Sequence, residues 1–344
     1  MSEEVESEVS TDMSSNGETD TQIEYLTKVK EVECVLVNSL IESDAKWSLF
    51  VTAAYSYDCE IAVKPFLPEF ITSMDQLYDI IWKTPNLKLL RSYIQEIDYS
   101  YCKKEVIILL HWILISSNSP KLEMIKNPDF VEFLTHIQDG GPITVPTFAF
   151  KISYDDDNEE NVNFENKSAE YGSRTAFYTC DPYFLYKLLC HGFGYNNSED
   201  PIRLTNVISI ALSKSRRTPC WGKSCCGQVL RSVGVVEYIQ NGRFIQHRLR
   251  TNPDRVDIYV EIPRLVRVRY ILYYAEQLPH IPDSIKDVIK SKTFRRNYIL
   301  QFGCVVTLAG VGCCLCIKRL GYSFKIKDVF IFAYKSVGFS RIKW

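Results

Sequence analysis

Residue types able to do chemistry are thinly spread along this 344-residue chain. The five histidines, His111, His136, His191, His247 and His280, stand in no ligand or triad spacing. His111 lies within the apolar run EVIILLHWILI (Glu105–Ile115), where a histidine is expected as a satisfied core residue. Cys220, Cys225 and Cys226 lack a second ligand pair at zinc spacing, and adjacent cysteines rarely ligate one ion well, so no metal is expected there. The basic stretch SRRTPCWGKS (Ser215–Ser224) could touch a phosphate, although its composition reads first as a solvated loop, and no phosphate-cradling glycine loop accompanies it. Taken singly, Tyr178 on an aromatic strand reads as a core residue. Arg203 reads as a solvated loop charge and Asp257 as a charge at a strand edge.

The elements that would position such residues divide along the chain. Residues 1 to about 30 hold eight acids, two lysines and almost no large apolar group, too little to offset the entropy of ordering, so residues 1–33 are expected as a disordered acidic tail. Trp47, Phe50, Val51, Ala54 and Tyr55 then recur at helical spacing, and Phe130, Phe133, Leu134 and Ile137 repeat the pattern. Between them, Glu105–Ile115 is apolar nearly all round and reads as a central helix, which makes residues 34–137 a small helical domain. QDGGPITVPT (Gln138–Thr147) reads as a linker.

Beyond it the signals turn to strands. FAFKISY (Phe148–Tyr154), RTAFYTC (Arg174–Cys180), VLRSVGVVEYI (Val229–Ile239) and VDIYVEI (Val256–Ile262) are rich in β-branched and aromatic residues. In RLVRVRYILYY, strict alternation places Val266, Val268, Tyr270, Leu272 and Tyr274 on one buried face and Arg267 and Arg269 on the other. A helix with Asp181 at its cap, Pro182 first and Gly192 at its end interrupts the strands, and a second short helix starts near Thr205. Residues 148–277 therefore read as a mixed α+β domain.

Residues 281–344 carry twelve Lys/Arg against three Asp/Glu, so a net charge of −2 overall leaves −11 on residues 1–280. An acidic main body argues against nucleic acid as the partner, and a basic collar suits anionic lipid. Within this part, YILQFGCVVTLAGVGCCLCI (Tyr298–Ile317) has no charged residue and is long enough at about 1.5 Å per residue to cross about 30 Å of hydrocarbon. Arg295 and Arg296 precede it and Lys318 and Arg319 follow, as expected for a single transmembrane helix. It contains four of the twelve cysteines, Cys304, Cys313, Cys314 and Cys316. The first residues have neither the basic nor the apolar run of a signal peptide, so the expected arrangement is tail-anchored with the bulk cytosolic. A basic linker (278–297) precedes the span, and a basic, aromatic tail (318–344) follows it.

WSLFV (Trp47–Val51), PNLKLL (Pro85–Leu90), FAFKISY, VRVRYILYYAEQ (Val266–Gln277) and the terminal span occur in an order that resembles the tail-anchored endoplasmic-reticulum mono-ADP-ribosyltransferases of the poly(ADP-ribose) polymerase superfamily, over residues 45–317. The resemblance implies a small all-α domain, a split-β ADP-ribosyltransferase-like domain (148–277) and one C-terminal transmembrane helix. It further implies NAD as co-substrate, transfer of ADP-ribose to protein side chains, protein targets or partners, and a location at the endoplasmic-reticulum or nuclear-envelope membrane. In that family a His-Gly-Ser motif anchors NAD, a tyrosine stacks on the nicotinamide, and a third residue opens a late strand.

Carried onto this chain, the motif falls on Tyr178, Thr179 and Cys180, the stacking position on Arg203 and the third position on Asp257, with Tyr259 two residues further. Tyr171, Gly172 and Ser173 match the motif better by letter, but would require an insertion before the next helix. All three positions depart from the family pattern. Arg203 opposes a cationic nicotinamide, and two like charges about 4 Å apart cost on the order of 4 kcal/mol at an effective dielectric near 20. The same alignment brings Arg203 and Asp257 within reach of an ion pair. Two readings result: a transferase with a pocket rebuilt from Tyr178 and Tyr259, or a member that keeps fold and anchor and serves as a non-catalytic scaffold or sensor.

Overall fold

In the computed structural model, the described residues are 15–57, 59, 63, 67–96, 103–116, 120–137, 143–154, 159–196, 200–249 and 256–276. All lie in one compact unit, Met1–Leu278. The segment Tyr298–Ile317 falls outside them, and among the described residues no helix is long and apolar enough to cross a membrane.

The helical part begins with α1 (Ser15–Asn38), where the composition argued for disorder. Val29, Val32 and Leu36 lie on one stripe of this helix and are buried, so a few apolar groups at the right spacing order a mostly acidic segment once other helices cover them. In α2 (Leu40–Ala54) every residue from Ser43 to Ala54 is buried, which makes α2 the central helix in place of Glu105–Ile115. The next two helices carry side-chain caps worth about 1 kcal/mol each. Ser73 accepts the Gln76 amide at the start of α3 (Met74–Lys83), and Asn86 accepts the Lys88 and Leu89 amides at the start of α4 (Leu87–Gln95). The apolar run Glu105–Ile115 forms α5 (Lys104–His111) and a π-helical turn, Trp112–Ser116. His111 is held between Glu31 of α1 at 2.5 Å and Ser116 at 3.0 Å, a satisfied histidine as its setting suggested.

The remaining chain builds an antiparallel sheet of nine strands among the described residues: β1 (Lys121–Met124), β2 (Phe148–Ser153), β3 (Ser173–Cys180), β4 (Ile202–Thr205), β5 (Thr218–Pro219), β6 (Val229–Ile239), β7 (Ile245–Leu249), β8 (Val256–Val260) and β9 (Val266–Glu276). Their order is β1-β2-β9-β6-β3-β4-β8-β7, with β5 on β6. α6 (Asn127–Ile137), α7 (Glu159–Tyr171), α8 (Pro182–His191) and α9 (Ile208–Lys214) complete the fold, an α+β arrangement with helices first and sheet after. Both sheet faces are covered. Phe150, Ile152, Ala176 and Ile271 join the core built by the N-terminal helices and α8, while Phe177, Val233, Val235 and Leu272 pack with α6 and α9.

Simple alternation fails in β9 because the β6–β9 register shifts between Val235, opposite Tyr270, and Val236, opposite Val268. Arg269 is the extra residue of this bulge, and beyond it the faces exchange. Val266, Val268, Ile271 and Tyr273 therefore share one core, and Tyr270, Leu272 and Tyr274 the other. Arg269 bonds to Glu165 and Glu237, and Arg267 bonds to Glu165.

The stretch Ser215–Ser224 is solvated only in part: Arg216 and Arg217 are exposed, while Ser215, Cys220, Trp221 and Ser224 are buried. Trp221 packs edge-on against Trp47, and Lys223 donates to the carbonyls of Trp82 and Thr84 at the end of α3. Ser224 and the Cys226 amide donate to Asp44 of α2 at 2.5 and 3.0 Å. The turn that leads into β6 thus plugs into the helical layer.

Candidate functional site

The sheet opens between β3 and β4. Only Phe177 and Thr205 are paired there, whereas β3 is paired with β6 along all eight of its residues. The divergence leaves a cleft of about 350 Å³. One wall is aromatic, formed by Tyr178, Phe184 of α8 and Phe193. The other carries Arg203 of β4 and Lys214 of α9.

Local sequence explains each placement. Alternation sends Phe177 into the α6/α9 core and leaves its neighbour Tyr178 packed against the opposite core, half-buried, with its ring edge-to-face on Phe193 at 5.1 Å. Burial, with smaller contributions from Cys180, Asp181 and Tyr183, raises the Tyr178 hydroxyl above its ordinary range, so it stays neutral. Thr179 lines the cleft while its hydroxyl donates to the Ala211 carbonyl at 3.1 Å. Cys180 turns away into the core, 2% exposed, with its thiol pushed well up by burial. Pro182 opens α8 and Gly192 ends it at φ +69, as the punctuation suggested. Asp181 makes no side-chain cap and instead accepts the Arg216 amide at 3.4 Å.

On β4 and β8 the register sets Arg203 opposite Tyr259 and Thr205 opposite Asp257. Arg203 reaches along the diagonal to Asp257, Nη2 to Oδ2 at 2.6 Å, the ion pair expected between these two residues. The Asp257 side chain is 8% exposed and that of Arg203 47%. Replacing Arg203 with leucine is expected to cost about 1–2 kcal/mol by orphaning a buried carboxylate, discounted for the half-exposed partner, and the Arg203→Leu/Asp257→Leu double variant to regain most of it. Urea midpoints of the single and double variants provide the check, and additive costs would show that the pair is not coupled.

The structure therefore gathers Tyr178, Thr179 and Arg203 at the cleft, places Asp257 behind Arg203, and leaves Cys180 in the core. Tyr259 lies beside Arg203, its ring centroid 5.7 Å from the Arg203 Cζ and 4.6 Å from the Arg248 Cζ. The rival triplet lies at the far end of β3, where Tyr171 is exposed, Gly172 has φ +74 and Ser173 bonds to Glu237. Sequence reasoning missed Arg248, because β7 was not recognised as a strand. Its signal was the sequence Asn252-Pro253-Asp254 between two strand-like runs. Among the described residues no group of His, Cys, Asp or Glu could hold a metal ion.

Residues 35–114 match the family model of the ARTD15 N-terminal domain. The matched segment runs from the end of α1 through α5 and includes both WSLFV and PNLKLL. No curated protein sequence matches the chain.

Proposed function

We propose that this chain is a divergent, membrane-anchored member of the ADP-ribosyltransferase superfamily that has lost the means to hold NAD and works as a non-catalytic binding module or scaffold on the endoplasmic-reticulum surface. The ion pair between Arg203 and Asp257 carries this reading. It fixes a guanidinium on the wall of the cleft at the position where the resemblance puts an aromatic ring for the cationic nicotinamide. An aromatic face attracts such a ring, whereas a guanidinium repels it. Tyr178, in place of the histidine, is packed on Phe193 with its hydroxyl neutral, and Cys180 faces away from the cleft. The residues present do not fit NAD.

The anchor rests on the uncharged twenty residues Tyr298–Ile317 and their basic flanks. An alkaline carbonate wash of cell membranes is expected to leave the full chain in the pellet, and deletion of residues 298–317 to release it. Labelled NAD incubated with the membrane-bound chain is expected to transfer no label. Release of the full chain by carbonate would remove the anchor from the account, and self-labelling would remove the loss of transferase chemistry.

A further inference from the structure

We propose that α1 carries a self-complementary seam through which two copies of this chain pair, antiparallel, about a two-fold axis at Lys30. At 3.6 residues per turn, Ile23, Leu26, Lys30, Cys34 and Val37 fall within an arc of about 80° on α1. The stripe of Val29, Val32 and Leu36 that enters the core lies on another side of the helix. Ile23, Leu26 and Val37 are 63%, 40% and 45% exposed, and Lys30 and Cys34 are exposed as well. Three of the eleven large apolar side chains exposed among the described residues thus share one face of one helix, which marks a contact surface where scattered single exposures would not.

The spacing selects the occupant, because the complement of this stripe is the stripe itself. Reversing the helix about Lys30 sets Ile23 against Val37 of the second copy and Leu26 against its Cys34, and the two-fold axis repeats both contacts. Antiparallel alignment also places the positive end of each helix beside the negative end of the other. Lys30 stands at the centre, where its stem packs along the seam and its ammonium turns outward to Glu33 of the second copy. From Ile23 to Val37 the seam runs about 21 Å, shorter than a permanent dimer uses, so the pairing is reversible. It involves neither the cleft nor the membrane segment.

The test joins the native Cys34, a free and exposed thiol, to a cysteine placed opposite it. Mild diamide oxidation of the Leu26→Cys full chain in detergent is expected to give a disulfide-linked dimer, and the Leu26→Cys/Cys34→Ser variant to give none. Within one chain the two positions lie about 12 Å apart along the helix, too far to bridge. Sedimentation of the unaltered chain at about 0.1 mM is expected to show a reversible dimer. Ile23→Glu sets a carboxylate against Val37 and is expected to raise the dissociation constant at least about tenfold with an unchanged melting temperature, since Ile23 is mostly exposed. Val162→Glu, an exposed position on α7, is expected to leave association unchanged. The proposal is overturned if the Leu26→Cys cross-link is absent or survives Cys34→Ser, or if Ile23→Glu associates as tightly as the unaltered chain. Cross-linking of the unaltered chain through Cys34 would mean parallel copies and overturn it too, and monomers at every concentration would leave the stripe to a different protein and do the same.

Discussion

Replacing Asp44 with alanine is expected to destabilise the fold by about 2–4 kcal/mol, because it strands the buried Ser224 hydroxyl and leaves the Cys226 amide only the Ser224 oxygen to donate to. Asp44 is 0% exposed and stands on α2, the helix most enclosed by the rest of the unit. Asparagine should behave differently, since its amide oxygen can accept from the same two donors without burying a charge. Burial holds the Asp44 carboxyl above its ordinary value of 3.8, against the opposing hydrogen bonds from Ser224, Cys226 and Cys225.

A group whose value is raised in the folded state favours folding below its unfolded value, and that contribution is lost as pH rises through the folded value. The neutral asparagine escapes this loss. The stability of Asp44→Asn relative to the unaltered chain should therefore climb from pH about 4 toward neutrality. Urea midpoints across that range provide the measurement. A relative stability that falls with rising pH would show that the carboxylate is favoured by its site and not opposed by it.

The second large effect concerns the cleft. The double change Tyr178→His and Arg203→Tyr is expected to raise NAD affinity by about a hundredfold, part of the roughly thousandfold that a 4 kcal/mol like-charge term would allow without solvent screening. Removing Arg203 also leaves Asp257, 8% exposed, to favour a cationic ring nearby. The variant must first melt cooperatively, since an orphaned carboxylate costs stability. A folded variant with no gain in affinity would mean that these positions do not correspond to the family's NAD-binding ones.

Strands were legible where composition and period agreed. Val229–Ile239 of β6 and Phe148–Ser153 of β2 carry β-branched and aromatic residues on both faces, as central strands do. The helix after Asp181 was marked at both ends by Pro182 and Gly192. What escaped depends on partners distant in sequence. The bulge at Arg269 follows from pairing with β6 and inverts the facing of Tyr270, Leu272 and Tyr274. The ordering of α1 rests on three buried side chains, Val29, Val32 and Leu36, whose value depends on the helices packed over them. Lys223 looked like a loop charge because its acceptors, the carbonyls of Trp82 and Thr84, are about 140 residues away.

At the cleft, the pairing of Arg203 with Asp257 was legible because the resemblance fixed a frame in which two unusual charges met. The placement of Arg248 over Tyr259 was not, since it depends on the β7–β8 register.

Calorimetric titration of the unaltered full chain with NAD is the most direct test of the central claim. The account predicts no saturable binding up to millimolar NAD, because the guanidinium of Arg203 is fixed on the cleft wall by Asp257. Saturation at micromolar NAD, lost on Tyr178→Ala, would contradict it.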